Sequence, residues 1–165
     1  METRKISPEE AAAKLLKADN ILILTHKNPD GDAIGSGIAI AHALRQKGKK
    51  CRVAWSGELA SYFSLITDSY TADWFSEPGF VLAVDLANAR LLPDETSCYA
   101  DKVDMVIDHH ATSVPFAAET LLEAAASCCA EIIIKVILAM GCEVTAEIAN
   151  CIYVGLATDT GCLRY

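Results

Sequence analysis

The segment Thr25-His26-Lys27-Asn28-Pro29-Asp30-Gly31-Asp32-Ala33-Ile34-Gly35-Ser36 joins two apolar runs of different period. The run before it, Ile21 to Leu24, is typical of a buried strand, and the run after it, Ala33 to Lys47, has helical spacing. Its histidine and two aspartates are therefore expected where a strand of an α/β sheet ends, which is where such sheets bind ligands. We expect Asp32 to cap the helix. Imidazole and carboxylate together suit Mn²⁺, Zn²⁺ or Fe²⁺.

Composition restricts the class of protein. The chain has 165 residues, of which 52% are hydrophobic and 22% charged, and this predicts one globular domain over residues 1–165. No apolar run reaches the ~20 residues of a membrane span, and the N-terminus does not resemble a signal peptide, so we expect a cytoplasmic protein without membrane contact. The net charge of −8 disfavours a surface for long duplex nucleic acid. The seven cysteines are expected to be packed thiols.

The rest of the chain alternates strand-like and helical runs. A capping box, Ser7-Pro8-Glu9-Glu10, predicts a helix that ends near Lys17. Strands are predicted at residues 20–25, 51–55, 80–85 and 103–110. Helices are predicted at residues 33–47, 127–140 and 145–156, with a short segment of unassigned type at 117–122.

Acidic and imidazole side chains follow the ends of the apolar runs. They are His26, Asp30 and Asp32, then Asp85, then Asp108, His109 and His110, and finally Asp159 after a fourth apolar segment. Because parallel strands present their carboxyl ends at one edge of a sheet, we expect these groups to converge in one crevice. So many carboxylates would repel one another unless cations lay between them. The pattern therefore predicts a site for two divalent metal ions.

These residues resemble the four motifs of the DHH phosphoesterase superfamily. The similarity is carried by His26-x-x-x-Asp30-x-Asp32, by Asp85, by Asp108-His109-His110, and by Thr158-Asp159-Thr160-Gly161. The first motif is most similar to the branch of oligoribonucleases (nano-RNases) that also dephosphorylate pAp. The resemblance implies a Rossmann-like, three-layer α/β domain with a parallel sheet, in which the metal site lies at the C-terminal ends of the strands. Members of this branch carry a second, DHH-associated substrate domain, which this chain is expected to lack.

The resemblance also implies a role for each residue. His26, Asp30 and Asp85 would hold one Mn²⁺, and Asp32, Asp85, His109 and Asp159 would hold the other, with Mg²⁺, Co²⁺ or Fe²⁺ as substitutes. Asp108 would orient the site, and His110 would face the scissile phosphate. The implied reaction is hydrolysis of short oligoribonucleotides to mononucleotides, removal of the 3′-phosphate of pAp, or both. Two bound metal ions are chemically suited to this reaction.

A last cation lies close to the predicted metal edge. Arg164 is expected to contact a substrate phosphate, against the alternative of a solvated terminal side chain. Three alternatives to the implied activity stay open: a cyclic-dinucleotide phosphodiesterase, a pyrophosphatase, and an inactive half-domain that only binds metal or nucleotide. A receiver-like protein also clusters aspartates at strand ends, but it would not need three histidines there. The sequence leaves open whether the protein forms a homodimer.

Overall fold

A parallel β-sheet forms the centre of the molecule, which a computed structural model describes from residue 3 to residue 164. Its strands are β1 Arg4–Lys5, β2 Ile21–Leu24, β3 Cys51–Ala54, β4 Phe80–Val84, β5 Met105–Asp108 and β6 Glu119–Leu122. They lie in the order β1-β6-β5-β4-β2-β3, and every neighbouring pair is parallel. The predicted α/β class with a parallel sheet is confirmed, and the carboxyl ends of these strands share one edge.

Five α-helices accompany the sheet in the described part of the chain. They are α1 Pro8–Leu15, α2 Gly31–Gln46, α3 Ser64–Thr67, α4 Cys129–Ala139 and α5 Ala146–Asp159. The capping box predicted at Ser7 and Glu10 is present, but α1 ends two residues earlier than expected. No helix described between residues 3 and 164 is long and apolar enough to cross a membrane.

Alternate residues of the strands serve two different apolar layers. Ile21 and Ile23 of β2 pack with α1, α2, α4 and α5, whereas Leu22 and Leu24 face the opposite side. That second side is covered mainly by irregular segments with short 3₁₀ turns rather than by long helices. Strands buried on both faces account for the unbroken apolar runs in the sequence.

Two strands were not predicted from the sequence. Residues 117–122 carry no clear pattern, yet Glu119 to Leu122 form β6, which lies between β5 and the edge strand β1. Only two residues of β6 are buried, and β1 is two residues long, so neither shows a recognisable apolar run. The cysteines are free thiols, five of them buried, as expected from their apolar surroundings.

Candidate metal centre

The loop between β2 and α2 and the first turn of that helix carry the first three candidate ligands, His26, Asp30 and Asp32. The helix begins at Gly31, and Asp30 is its N-cap, accepting the backbone N–H groups of Asp32 and Ala33 at 3.0 Å each. The expectation that Asp32 caps the helix is therefore wrong. Asn28 has a left-handed backbone (φ 55°), which lets the chain turn from the strand into the helix.

Asp32 instead accepts hydrogen bonds at the start of α4, a helix far away in the sequence. It is completely buried, and its two carboxylate oxygens accept the N–H groups of Cys129 (2.6 Å) and Ala130 (2.9 Å), where α4 begins. A negative charge is favourable at that end of a helix, because the first amides lack partners within the helix. Burial is the largest influence on the Asp32 carboxyl and raises its pKa.

Asp85 lies immediately after β4 and is 3% exposed. Its backbone is left-handed (φ 52°), a conformation that costs energy in residues other than glycine and that often occurs at functional sites. Its Oδ1 atom is buried without a hydrogen-bond partner among the described residues. Burial, followed by the charges of Asp32 and Asp30, raises the pKa of Asp85 to about 9. The folded chain thus holds a carboxyl group that lacks compensation from protein donors.

Asp108 is the last residue of β5, and His109 and His110 follow it directly. Asp108 is completely buried, and its Oδ1 accepts the backbone N–H of His109 (2.9 Å) and lies 2.7 Å from Nδ1 of His110. When Nδ1 of His110 carries the proton, it donates to Asp108, which fixes the orientation of the ring. His109 has its Nε2 atom among the other carboxylates of the edge.

Asp159 reaches the same edge from α5. It is the last residue of that helix, and its Oδ2 lies 3.5 Å from Nε2 of His109. Close packing of α5 on α2 makes this approach possible, since a Cβ atom at Gly155 would lie 2.8 Å from Oδ1 of Asp32. A Cβ atom at Gly35 would likewise collide with the carbonyl oxygen of Cys151.

The side chains expected from the sequence as metal ligands meet in two adjoining groups. In the first, Nε2 of His26 lies 3.9 Å from Oδ1 of Asp30 and 3.8 Å from Oδ2 of Asp85. In the second, Nε2 of His109 lies 3.9 Å from Oδ2 of Asp32 and, as above, 3.5 Å from Asp159. Asp85 connects the groups, because its Oδ1 is 3.6 Å from Nε2 of His109. The carboxylate of Asp30 raises the pKa of His26 to about 9.

These groups have the properties of metal sites. Within each of three sets, one ligand atom per residue lies within 4.8 Å of the others: His26, Asp30 and Asp85; Asp32, His109 and Asp159; Asp85, His109 and His110. The donors are carboxylate oxygens and imidazole nitrogens, which suit divalent ions such as Mn²⁺ and Fe²⁺. A cation between them would supply the partner that the buried Oδ1 of Asp85 lacks. The residues therefore fit a pair of divalent ions that share Asp85.

The phosphate contact expected of Arg164 stays a prediction, and one feature of the site was not foreseen from the sequence. Arg164 is exposed, and its backbone N–H donates to the carbonyl of Thr160, while the structure shows no ion pair of its side chain with a described residue. The backbone amides of Cys129 and Ala130 that hold Asp32 were not foreseen. They lie 97 and 98 residues further along the chain, and no local sequence signal links them to it.

The fold and the candidate ligand groups together define an α/β domain with a possible metal centre at the carboxyl edge of its parallel sheet. Residues 20–156 match the family model described as the N-terminal domain of the DHH family. This match covers most of the chain, which belongs to the DHH family.

Several proteins of this kind are similar to the chain. The bifunctional oligoribonuclease and PAP phosphatase NrnA of Thermus thermophilus is 29% identical over 163 residues, which span 93% of this chain and 48% of that protein. An exopolyphosphatase-related protein from Bacteroides fragilis superposes with a TM-score of 0.80 at 27% identity, covering 96% of this chain and 51% of that one. RecJ from Thermus thermophilus, solved with Mn²⁺, shares the fold with a TM-score of 0.56 at 17% identity, covering 93% of this chain and 23% of RecJ. The chain spans about half the length of the curated relatives that it matches.

Proposed function

We propose that this chain carries the catalytic centre of a metal-dependent phosphoesterase that acts on short oligoribonucleotides, on pAp, or on both. The observation that carries the proposal is the pair of ligand groups joined through the buried Asp85. The named activities of the NrnA relative support the substrate class. A cytoplasmic location stays a prediction.

The ligand groups support an assignment of the side chains to two ions. His26, Asp30 and Asp85 would hold one ion, and Asp32, Asp85, His109 and Asp159 would hold the other. We favour Mn²⁺ because the donors mix imidazole with carboxylate, with Mg²⁺, Co²⁺ or Fe²⁺ as substitutes. Bound ions would lower the pKa of a water molecule and offset the charge of phosphate oxygens.

The other residues of the motif would act on the substrate. Asp108 holds Nδ1 of His110, which leaves Nε2 as the ring atom that can exchange a proton with a substrate oxygen. His110 also belongs to one of the three possible ligand sets, together with Asp85 and His109. We assign it to the substrate because its Nδ1 is engaged by a buried carboxylate and its side chain is 43% exposed. Asp108 then acts as a positioning residue.

Arg164 is proposed to bind a substrate phosphate. Arg164 lies five residues beyond Asp159, and its side chain is exposed. We expect Arg164→Lys to weaken nucleotide binding while leaving Mn²⁺ affinity unchanged, because arginine is not a metal ligand. Equal loss of both affinities, or no loss of either, would contradict this role.

A substrate panel with Mn²⁺ tests the proposed function. The substrates are a short oligoribonucleotide, pAp, a cyclic dinucleotide and pyrophosphate, each with Asp85→Asn as the inactive reference. We expect release of mononucleotides or of the 3′-phosphate of pAp, and no turnover by the variant. Turnover of the cyclic dinucleotide or of pyrophosphate alone would replace the proposed substrate by that alternative. Metal binding without turnover of any substrate would identify an inactive half-domain and contradict the proposal.

A further inference from the structure

A cavity of about 440 Å³ lies beside the segment that follows Asp85. Its lining residues come from two loops: Asn88, Ala89 and Arg90 from the first, Val114 and Phe116 from the second. Its volume falls within the range of ~300–1,000 Å³ that is common for small-molecule sites. The cavity contains none of the candidate metal ligands, and it is not needed for the assignments made above.

Hydrogen bonds connect this cavity to the metal-binding edge. The N–H of Val114 donates to the carbonyl of Ala87 (2.8 Å), two residues beyond Asp85. The N–H of Ser113 donates to the carbonyl of His110 (3.0 Å). The two loops that line the cavity are thus the direct continuations of the Asp85 and His110 motifs, and a ligand in the cavity would contact both continuations.

The lining of the cavity combines apolar walls with one positive charge. Phe116 is half-buried and packs against the apolar layer on the loop-covered side of the sheet, so its ring is held in place. Val114 is 57% exposed, so its apolar side chain is accessible to a ligand in the cavity. Arg90 supplies the cation, and none of the described residues that line the cavity is acidic.

The composition of this lining distinguishes the cavity from its neighbour. A second cavity, of about 360 Å³, is also lined by Arg90, but there Lys27 is accompanied by the acids Asp94 and Glu95. The first cavity therefore offers the better match to an anionic ligand with an apolar part. The chain has a net charge of −8, so a lining that contains an arginine and an aromatic residue but no acidic residue favours an anionic ligand at this position.

We infer that this cavity is a nucleoside subsite, in which Phe116 and Val114 contact the base and Arg90 binds the phosphate of the same nucleotide. Aromatic side chains stack on bases with little regard to sequence, and arginine donates two hydrogen bonds to a phosphate. The inference rests on the proposed function and narrows its substrate class, since it favours substrates that carry a base. Pyrophosphate and polyphosphate would leave the apolar walls without a partner.

The test compares two ligands that differ only in the base. AMP and ribose 5-phosphate are titrated into the Mg²⁺-loaded chain and followed by NMR. We expect AMP to bind at least about fivefold more tightly, the lower limit for one stacked base. Phe116→Ala and the apolar Phe116→Leu should each remove most of this preference, and the second variant retains packing against the sheet. Arg90→Gln should weaken both ligands by the same factor.

Two variants serve as matched controls. Leu138→Ala removes an exposed apolar side chain from the far end of α4, and Lys50→Gln removes an exposed cation before β3, at the opposite edge of the sheet. Both should bind AMP like the unaltered chain. Equal affinity for the two ligands, or an AMP preference unaffected by both Phe116 variants, would overturn the inference even if the panel shows phosphoester hydrolysis. A base preference that depends on Phe116, without hydrolysis in the panel, would uphold the subsite and reject the proposed activity.

Discussion

At the scale of single residues, the fold places Asp85 where the charged form of its carboxyl group is disfavoured. Its carboxyl group is buried, lies near Asp32 and Asp30, and has one oxygen without a donor among the described residues. Its backbone is also left-handed. Unfavourable features of this kind cluster at functional sites, and they support the proposed metal site, in which a cation would supply the partner that Asp85 lacks.

Replacing Asp85 should therefore separate stability from metal binding. We expect Asp85→Asn to leave the metal-free protein at least as stable as the unaltered chain, because a neutral amide replaces a carboxyl group whose ionisation burial disfavours. The same variant should lose the stabilisation by Mn²⁺, which is about 2.7 kcal/mol at a hundredfold excess over Kd. Thermal unfolding with and without Mn²⁺ measures both effects. The exposed Asp68→Asn is the control, and a variant at Asp85 that is still stabilised by Mn²⁺ would contradict the bridging role.

Removal of the Asp32 carboxylate, unlike that of Asp85, should destabilise the metal-free protein. Its carboxylate satisfies the N–H groups of Cys129 and Ala130, which are buried at the start of α4. Asp32→Ala should thus lower the free energy of unfolding of the metal-free protein by about 1–3 kcal/mol, the cost of leaving buried donors unpaired. Asp32→Asn keeps one acceptor oxygen and should lose less. Denaturant unfolding in a chelating buffer measures the difference, and an undiminished stability of Asp32→Ala would show that water or other groups satisfy these amides.

At the scale of elements, contact between α2 and α5 determines where Asp159 lies. Gly31 and Gly35 of α2 and Gly155 of α5 have no room for a Cβ atom, so the two helix backbones approach closely. Because α5 ends in Asp159, any change in this packing moves a candidate ligand.

Gly155→Ala tests this contact. The new methyl group would meet Oδ1 of Asp32 at 2.8 Å and Cβ of Ala130 at 2.7 Å, and the Asp32 carboxylate is held by α4 and cannot easily retreat. We expect a loss of stability of about 1–3 kcal/mol and weaker binding of the ion assigned to Asp32, His109 and Asp159. Ala149→Ser, at an exposed position of α5, should change either quantity little. Unaltered stability together with unaltered Mn²⁺ affinity would show that the close approach of α2 and α5 does not determine the position of Asp159.

Comparison of particular elements shows what could be predicted from the sequence. The parallel sheet and the convergence of His26, Asp85, His109 and Asp159 follow from apolar runs that end in polar groups. The structure confirms the sheet and brings these side chains together. The edge strand β1 and its neighbour β6 could not be predicted, because pairing between distant segments rather than local composition makes them strands.

The helix start at Asp30-Gly31-Asp32 was assigned wrongly for a similar reason. Both aspartates can cap a helix, and local sequence does not separate them. Tertiary structure gives them different roles, because the carboxylate of Asp32 accepts a hydrogen bond from a backbone amide of α4, almost 100 residues later in the chain. The apolar cavity at Phe116 likewise depends on two loops that only the folded chain brings together.

At the scale of the whole molecule, the acidic candidate ligands lie together where the strands end. The chain has a net charge of −8, and four aspartates with three histidines form the possible ligand sets at that edge. Two divalent ions would reduce the net charge from −8 to −4. Ions that bind only the folded chain stabilise it by mass action.

Mn²⁺ should therefore raise the melting temperature of the whole domain. At a hundredfold excess over Kd we expect an increase of about 5–10 °C for a chain of this size. Sodium chloride at the same ionic strength should have a much smaller effect, because screening acts on all surface charges and does not satisfy Asp85. Addition of EDTA should reverse the increase. Equal effects of Mn²⁺ and sodium chloride would mean that the edge is only an acidic surface.

The number of bound metal ions tests the central claim most directly. Equilibrium dialysis against Mn²⁺, with elemental analysis of the protein, counts them without relying on any substrate. Two ligand groups that share Asp85 predict two Mn²⁺ per chain, and they predict that Asp85→Asn retains neither ion tightly. One or no tightly bound ion in the unaltered chain, or two in Asp85→Asn, would contradict a two-metal centre bridged by Asp85.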